Sequence, residues 1–261
     1  MTGERARAPG RGAPDPDGGG ILARGEQAVE EQRSAVRGMF DRVSCRYDLL
    51  NRLLSFGLDA RWRREAIRRA GIGPGDRFLD VACGTGDLGL EAARAAERVG
   101  VLGVDFSQPM LRRAGLKGTR NRRPRPLRLA AGAAEQLPVR GGAFAAAGIA
   151  FGIRNVPDRG AALREMARAV RPGGRVVVLE FTTSGSGAVE RAVDFYLRRV
   201  LPRIGGLLSS GGAYRYLAAS MGAFPPPDAF AREMEDAGLE AVRYRRLSPA
   251  PTWLYVGTRP L

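Results

Sequence analysis

The 261 residues carry 42 Lys and Arg against 27 Asp and Glu, a formal net charge of +15, with no histidine and two cysteines. That length can bury a full hydrophobic core, while the lack of histidine removes the usual general base and the commonest metal ligand. Cys45 and Cys83 lie far apart and give neither a disulfide framework nor a metal-ligand spacing, so a reducing cytoplasm is expected.

Residues 1–25 are rich in Arg, Gly and Pro, poor in large apolar side chains and without an apolar signal core; they read as a disordered leader. Residues 26–75 read as a helical cap: Val36, Met39, Phe40 and Val43 share one face, then Leu49, Leu50, Leu53 and Leu54, then Trp62, Ala66 and Ile67. From Asp76 short apolar runs alternate with helical stretches, the order of a parallel sheet covered on both faces. Strands are predicted at about 77–82, 100–105, 127–131, 144–151 and 175–182, with helices near 87–98, 108–115 and 159–170. The last of these is closed by R-P-G-G at 171–174. A helical insertion over 188–220 follows, then a helix at 228–237 and strands at 240–247 and 252–257, which suit a reversed hairpin at one sheet edge. No run of about 18 apolar residues marks a membrane span.

Lys117 is the only lysine, and arginines are spread along the whole chain. Compositional bias therefore explains the excess charge as well as a selected patch does. No basic motif is interleaved with aromatics, so nucleic acid is not an expected partner; an anionic membrane surface is.

The strand F-L-D-V-A runs into C-G-T-G-D-L-G, so Gly84, Gly86 and Gly89 satisfy G-x-G-x-x-G at a strand-to-helix turn. Asp105 closes the next strand, where a carboxylate can accept both hydroxyls of an adenosine ribose. A pyrophosphate at this turn would meet Asp80 and Asp87, whereas S-adenosylmethionine brings an ammonium and a sulfonium, so the sign of the charge favours the sulfonium.

Residues 39–64, M-F-D-R-V-S-C-R-Y-D-L-L-N-R-L-L-S-F-G-L-D-A-R-W-R-R, resemble the N-terminal signature of the demethylmenaquinone and 2-polyprenyl-6-methoxy-benzoquinol C-methyltransferases. Residues 150–181, from A-F-G-I-R-N-V-P-D to V-V-V-L-E-F, are similar to a second signature of the same family. The resemblance implies a class I methyltransferase (Rossmann-like α/β) sheet, S-adenosylmethionine as methyl donor and a prenylated quinol as substrate. The alternatives are another small phenolic or lipid substrate, or a non-catalytic homologue. The donor-binding set it implies is Asp80, Gly84, Thr85, Gly86, Asp105, Phe106, Ala133, Ala134 and Ala150, the stretch 132–138 contacting the adenine.

The sequence departs from the family at Ala133, where Asp or Asn usually accepts from the adenine amino group. Alanine cannot do so, which leaves Glu135, a backbone carbonyl, or weaker donor binding. Ala150 stands where serine is common, Ala145 where an acid is usual, and S-P-A-P-T-W (248–253) where relatives carry a Gly-rich turn.

Carbon methylation needs an electron-rich ring, best supplied as a quinolate whose hydroxyl ionises near pH 10 by analogy with tyrosine. No metal is required. Arg154, after the fourth strand at the carboxyl edge of the sheet, is the candidate for lowering that pKa, since a guanidinium cannot itself take the proton; water or a carboxylate would accept it. Asn155 is expected to orient the second ring oxygen, and Tyr47 and Asp48 to close over the site. Phe195, Tyr196, Leu197, Leu201, Leu207 and Leu208 of the insertion can line a channel for the prenyl tail. Arg198, Arg199 and Arg203 can rest the protein peripherally on anionic lipid. A homodimer is also expected.

Overall fold

The computed structural model describes Gly38, Ser55 and residues 57–120, 127–182, 220–247 and 251–261. The predicted leader, most of the helical cap and the insertion lie outside these residues. Seven strands form one sheet: β1 (Arg77–Val81), β2 (Gly100–Asp105), β3 (Arg128–Ala131), β4 (Phe144–Ala150), β5 (Val170–Phe181), β6 (Glu240–Arg246) and β7 (Thr252–Thr258). Their order is β3-β2-β1-β4-β5-β7-β6. The first five are parallel, and β7 runs antiparallel to both β5 and β6, the reversed edge hairpin read from the sequence.

Five helices pack on the faces: α1 (Asp59–Ala70), α2 (Asp87–Ala95), α3 (Gln108–Arg120), α4 (Arg159–Ala169) and α5 (Pro227–Asp236). Successive strand residues point to opposite faces, so the apolar runs feed two cores. Leu79, Val81, Ile149, Val176 and Val178 meet Leu163 and Met166 of α4 and Phe230 and Met234 of α5. Phe78, Ala146, Val177 and Leu179 meet Trp62, Ala66 and Ile67 of α1 and Leu88 and Ala92 of α2. Burying each large side chain fully is worth about 1.5–3 kcal/mol. The small residues of β4 are spatially required, because a Cβ on Gly148 would fall 2.7 Å from Phe78 Cζ and 3.0 Å from Leu88 Cδ2.

Two boundaries differ from those expected by five residues. Helix α3 continues through Gly115 and Gly118 to Arg120. An interior glycine costs only about 1 kcal/mol, and Lys117 in the added turn bonds Thr85 and Asp87, which ties that turn to the glycine loop. Strand β5 begins at Val170, with R-P-G-G inside it, because Val170 already pairs with Phe144 before the register shifts. Gly173 sits at φ +72° in that irregularity, and a Cβ on Gly174 would lie 2.7 Å from the Arg171 carbonyl oxygen. The turn signal was therefore a bulge in a ladder.

The chain winds outward from β1 to β3 and returns to β4 beside β1, so a crevice opens at the carboxyl ends of β1 and β4, the place where such sheets bind ligands. Both strands end there in left-handed backbone without glycine: Ala82 has φ +48° and Phe151 φ +58°. Side chains adopt this region at a cost of about 1–3 kcal/mol.

Candidate active site

The turn after β1 is held by carboxylates beneath it. Asp80 is buried, and its Oδ2 accepts from the Gly89 backbone N–H at 2.7 Å. Burial is the largest influence on it and pushes its carboxyl up to about 7; the Gly89 bond and the Arg63 charge pull it down, and Asp105 and Asp87 push it up. Cys83 is buried beside it, and burial pushes its thiol up as well. Asp105, at the end of β2, accepts from Gly84 N at 2.7 Å and from Ser107 N at 2.8 Å. An ionised carboxylate has about four lone-pair sites, so Asp105 can bind backbone and still accept ribose hydroxyls. Its own carbonyl accepts from Gly132 N at 3.1 Å, which draws the 132–138 turn against the loop. There the Ala133 carbonyl accepts from Gln136 N at 3.3 Å. Gly84, Asp105, Phe106, Ala133 and Ala134 are thus brought to one end of β1 and β2.

Asp87 is neutralised: Lys117 Nζ lies 2.8 Å from Oδ1 and an Arg63 nitrogen 3.7 Å from Oδ2. Its share of the charge argument drops out, which leaves Asp80, with its raised carboxyl, and Asp105 beneath the loop. Thr85 is buried and accepts from Lys117 Nζ at 2.8 Å. Gly86, at φ +83°, lacks a Cβ for packing reasons too, since one would meet Leu127 Cδ2 at 2.8 Å. Buried acceptors, glycine backbone and the carboxylates of Asp80 and Asp105 fit a cationic, ribose-bearing donor.

Arg63 was not singled out in the sequence. It is buried, pairs with Asp59, which also accepts from Ser55 Oγ at 3.0 Å, and lies 5.7 Å from the Phe151 ring centroid. The signal was available: Asp59 and Arg63 fall on the helical stripe with Trp62, Ala66, Ile67 and Ala70, and charges on an apolar stripe are rarely idle. Trp62 packs edge-on against Phe181 at 5.9 Å, and Phe151 stacks on Phe181 at 4.6 Å, so α1 seals one wall of the crevice.

At the carboxyl end of β4, Ala150 pairs with Leu179, and the chain enters the short 3-10 turn Ile153–Asn155. Arg154 Nη1 donates to the Phe151 carbonyl at 2.8 Å and to Glu180 Oε1 at 2.5 Å. Glu180, the second residue missed by sequence reasoning, is 0 % exposed, and Arg154's side chain is 7 % exposed. Burial pushes the Glu180 carboxyl up, against the pull of Arg154 and of the Phe181 and Arg154 backbone N–H groups. Asn155 is buried beside this pair. The predicted Tyr47 and Asp48, and the insertion residues predicted to line a prenyl channel, lie outside the described residues. Among the described residues no cluster of three or more Cys, Asp or Glu could hold a metal ion.

Residues 26–258 match the ubiE/COQ5 methyltransferase family. The ubiquinone/menaquinone biosynthesis C-methyltransferase UbiE of Syntrophotalea carbinolica is 47 % identical over 227 residues, 86 % of this chain and 94 % of the relative. The demethylmenaquinone methyltransferase of Thermus thermophilus is 47 % identical over 223 residues, 85 % of this chain and 100 % of the relative. A SAM-dependent methyltransferase from Thermotoga maritima superposes with a TM-score of 0.60 at 19 % identity, covering 86 % of this chain and 99 % of that one. Phosphoethanolamine N-methyltransferase 2 of Haemonchus contortus gives 0.58 at 14 % identity, covering 76 % and 52 %; these two share the fold. With a class I sheet, a glycine loop over acidic residues at its switch point, and sequence kinship along most of its length, the chain belongs to the ubiE/COQ5 family of S-adenosylmethionine-dependent methyltransferases.

Proposed function

We propose that the protein methylates a ring carbon of a prenylated quinol, converting demethylmenaquinol to menaquinol and, where the substrate is present, its benzoquinol counterpart. The observation that carries this reading is the juxtaposition, at the carboxyl edge of adjacent strands, of a donor loop floored by Asp80 and Asp105 with the buried Arg154–Glu180 pair. S-adenosylmethionine supplies an electrophilic methyl on a sulfonium. The chain's own part is to hold that cation over Asp80 and Asp105, to exclude water with Trp62, Phe151 and Phe181, and to lower the pKa of a ring hydroxyl through Arg154. Asn155 orients the second ring oxygen, and Tyr47 and Asp48 close over the ring. The test is to incubate the pure protein with S-adenosylmethionine and either reduced demethylmenaquinone or the reduced benzoquinone, and to look by mass spectrometry for one added methyl. Absence of product with both quinols overturns the assignment.

Peripheral contact with an anionic membrane from the cytoplasmic side is part of the same reading. A groove of about 490 Å³ is lined by Arg61, Arg64, Arg68, Arg245 and Arg246 with Trp62, Glu65 and Leu247, next to the wall that Trp62 forms. Among the described residues no helix is long and apolar enough to cross a membrane. Each arginine near an anionic surface contributes about 1 kcal/mol. Flotation with phosphatidylglycerol but not phosphatidylcholine vesicles, lost in Arg61→Ser/Arg64→Ser/Arg245→Ser, is the expected result. Sedimentation tests the expected homodimer.

A further inference from the structure

Arg154 as described is not a free cation. Its charge is matched by Glu180, so a quinolate arriving beside it would bring a second negative charge to a buried site that already balances. Either the pair is inert packing, or the carboxylate changes charge when the quinol binds. We propose that Glu180 is the proton acceptor for the ring hydroxyl: binding moves one proton onto its carboxylate and leaves the Arg154 guanidinium facing the quinolate.

Three observations carry this. The first is acceptor capacity. Oε1 is taken by Arg154 Nη1 at 2.5 Å and Phe181 N at 2.9 Å, whereas among the described residues Oε2 receives only the Arg154 backbone N–H at 3.4 Å, a long bond. The second is the surroundings. Among the described residues, Arg154 Nε, Asn155 Oδ1 and Tyr255 Oη are buried without hydrogen-bond partners, three of five such side-chain atoms. Arg154 is one of the pair, Asn155 follows it in the chain, and Tyr255, opposite Val178 in the register, lies on the Glu180 face of the sheet. Burial first, and then the Glu180 charge, raise the Tyr255 hydroxyl pKa, so that phenol stays neutral and able to donate. Buried polar atoms are almost always bonded in native proteins, so this cluster is built for a polar guest. The third is energetic. Burial favours a neutral Glu180; the charge acting on it is that of Arg154, and it acts in turn on the neutral Tyr255 phenol, which Tyr244 and Asp228 also influence.

The atoms balance. The ring O–H breaks and a Glu180 O–H forms, so the buried site has the same net charge before and after. The oxygen's electron pair makes the adjacent ring carbon the nucleophile; a C–C bond to the methyl forms, and the S–C electron pair stays on sulfur. That carbon then loses its hydrogen as a proton to water, and Glu180 returns its own proton to the ring oxygen.

The inference rests on the quinol reading, and its test separates the two. The full chain is titrated with 4-methoxy-1-naphthol without methyl donor, following naphtholate absorbance and, by calorimetry in buffers of different ionisation enthalpy, the protons released. The wild-type protein is expected to bind naphtholate with no net proton release at neutral pH. Glu180→Gln, which keeps the shape and the hydrogen bond to Arg154, is expected to release one proton per naphtholate formed. With quinol and donor, its turnover should rise tenfold per pH unit where the wild type is flat. One proton released by the wild type, naphthol bound without ionising, or Glu180→Gln behaving as wild type each overturns the proposal, and the first two need no variant to fold. Should the wild type methylate no quinol, the reaction reading fails first.

Discussion

Asp80 links donor binding and stability to pH in opposite directions. Its carboxyl is raised from an ordinary 3.8 to about 7 by burial, whereas in the unfolded chain it ionises near pH 3.9. Between those values the native state holds a proton that the unfolded state has released, so the contribution to stability is full below about pH 4. It falls by about 1.4 kcal/mol per unit as pH rises and is gone above about pH 7, some 4 kcal/mol in all. A cationic donor prefers the ionised carboxylate, so its affinity moves the other way. The Kd should rise up to tenfold per unit as pH falls below 7, about thirtyfold between pH 8 and pH 5.5, with a proton released on binding. Calorimetry with S-adenosylmethionine over that range gives both quantities, and urea melts of the free protein give the stability slope. Asp80→Asn, whose side-chain oxygen can still accept from Gly89, removes Asp80's part of both slopes, and the other acids cancel in its difference from wild type. A donor Kd that stays flat from pH 8 to pH 6, or a difference between wild type and Asp80→Asn that ignores pH, refutes the linkage.

Asp105→Ala removes the acceptor for Gly84 and Ser107; with each charge-assisted bond worth about 1.5–3 kcal/mol, donor binding should vanish from calorimetry while the fold persists by circular dichroism. Gly148→Ala presses a methyl into Phe78, Leu88 and Val177 and should cost about 1–3 kcal/mol, read as a fall in Tm of about 2–4 °C per kcal/mol. Arg154→Met should abolish methylation while leaving donor affinity unchanged by calorimetry. Breaking such a buried pair costs about 3–5 kcal/mol if the remaining charge persists, and neutralisation of Glu180, whose pKa is already raised, keeps the loss in Tm below that. Arg159→Ala, which loses a half-exposed pair with Glu233, should shift stability by under about 1 kcal/mol.

Periodicity located every described strand, within about one residue except at the start of β5, because most are short apolar or small-residue runs bounded by turn chemistry. It failed at R-P-G-G, where the same residues that end a helix also make a bulge, and only the pairing of Val170 with Phe144 distinguishes the two. The glycine loop and Asp105 were legible because a strand-turn-helix with a carboxylate on the next strand is a local pattern. Glu180 was not, since it became a candidate only when β5 lay against β4 and put its carboxylate under Arg154, 26 residues away in sequence. Arg63 lay within a quoted signature, yet its inward face shows only when the stripe of α1 is matched to the sheet. The repulsion assigned to Asp87 failed similarly, because its neutralising Lys117 lies 30 residues downstream.

Ala82 and Phe151 make the rim of the crevice a property of the main chain. Much of what shapes the pocket is peptide N–H, carbonyl and left-handed turn, held from beneath by the carboxylates of Asp80 and Asp105. Substitutions at small positions such as Ala133, Ala145 and Ala150 therefore leave in place the scaffold that surrounds them. Such substitutions spare the few carboxylates and the glycines on which that scaffold hangs.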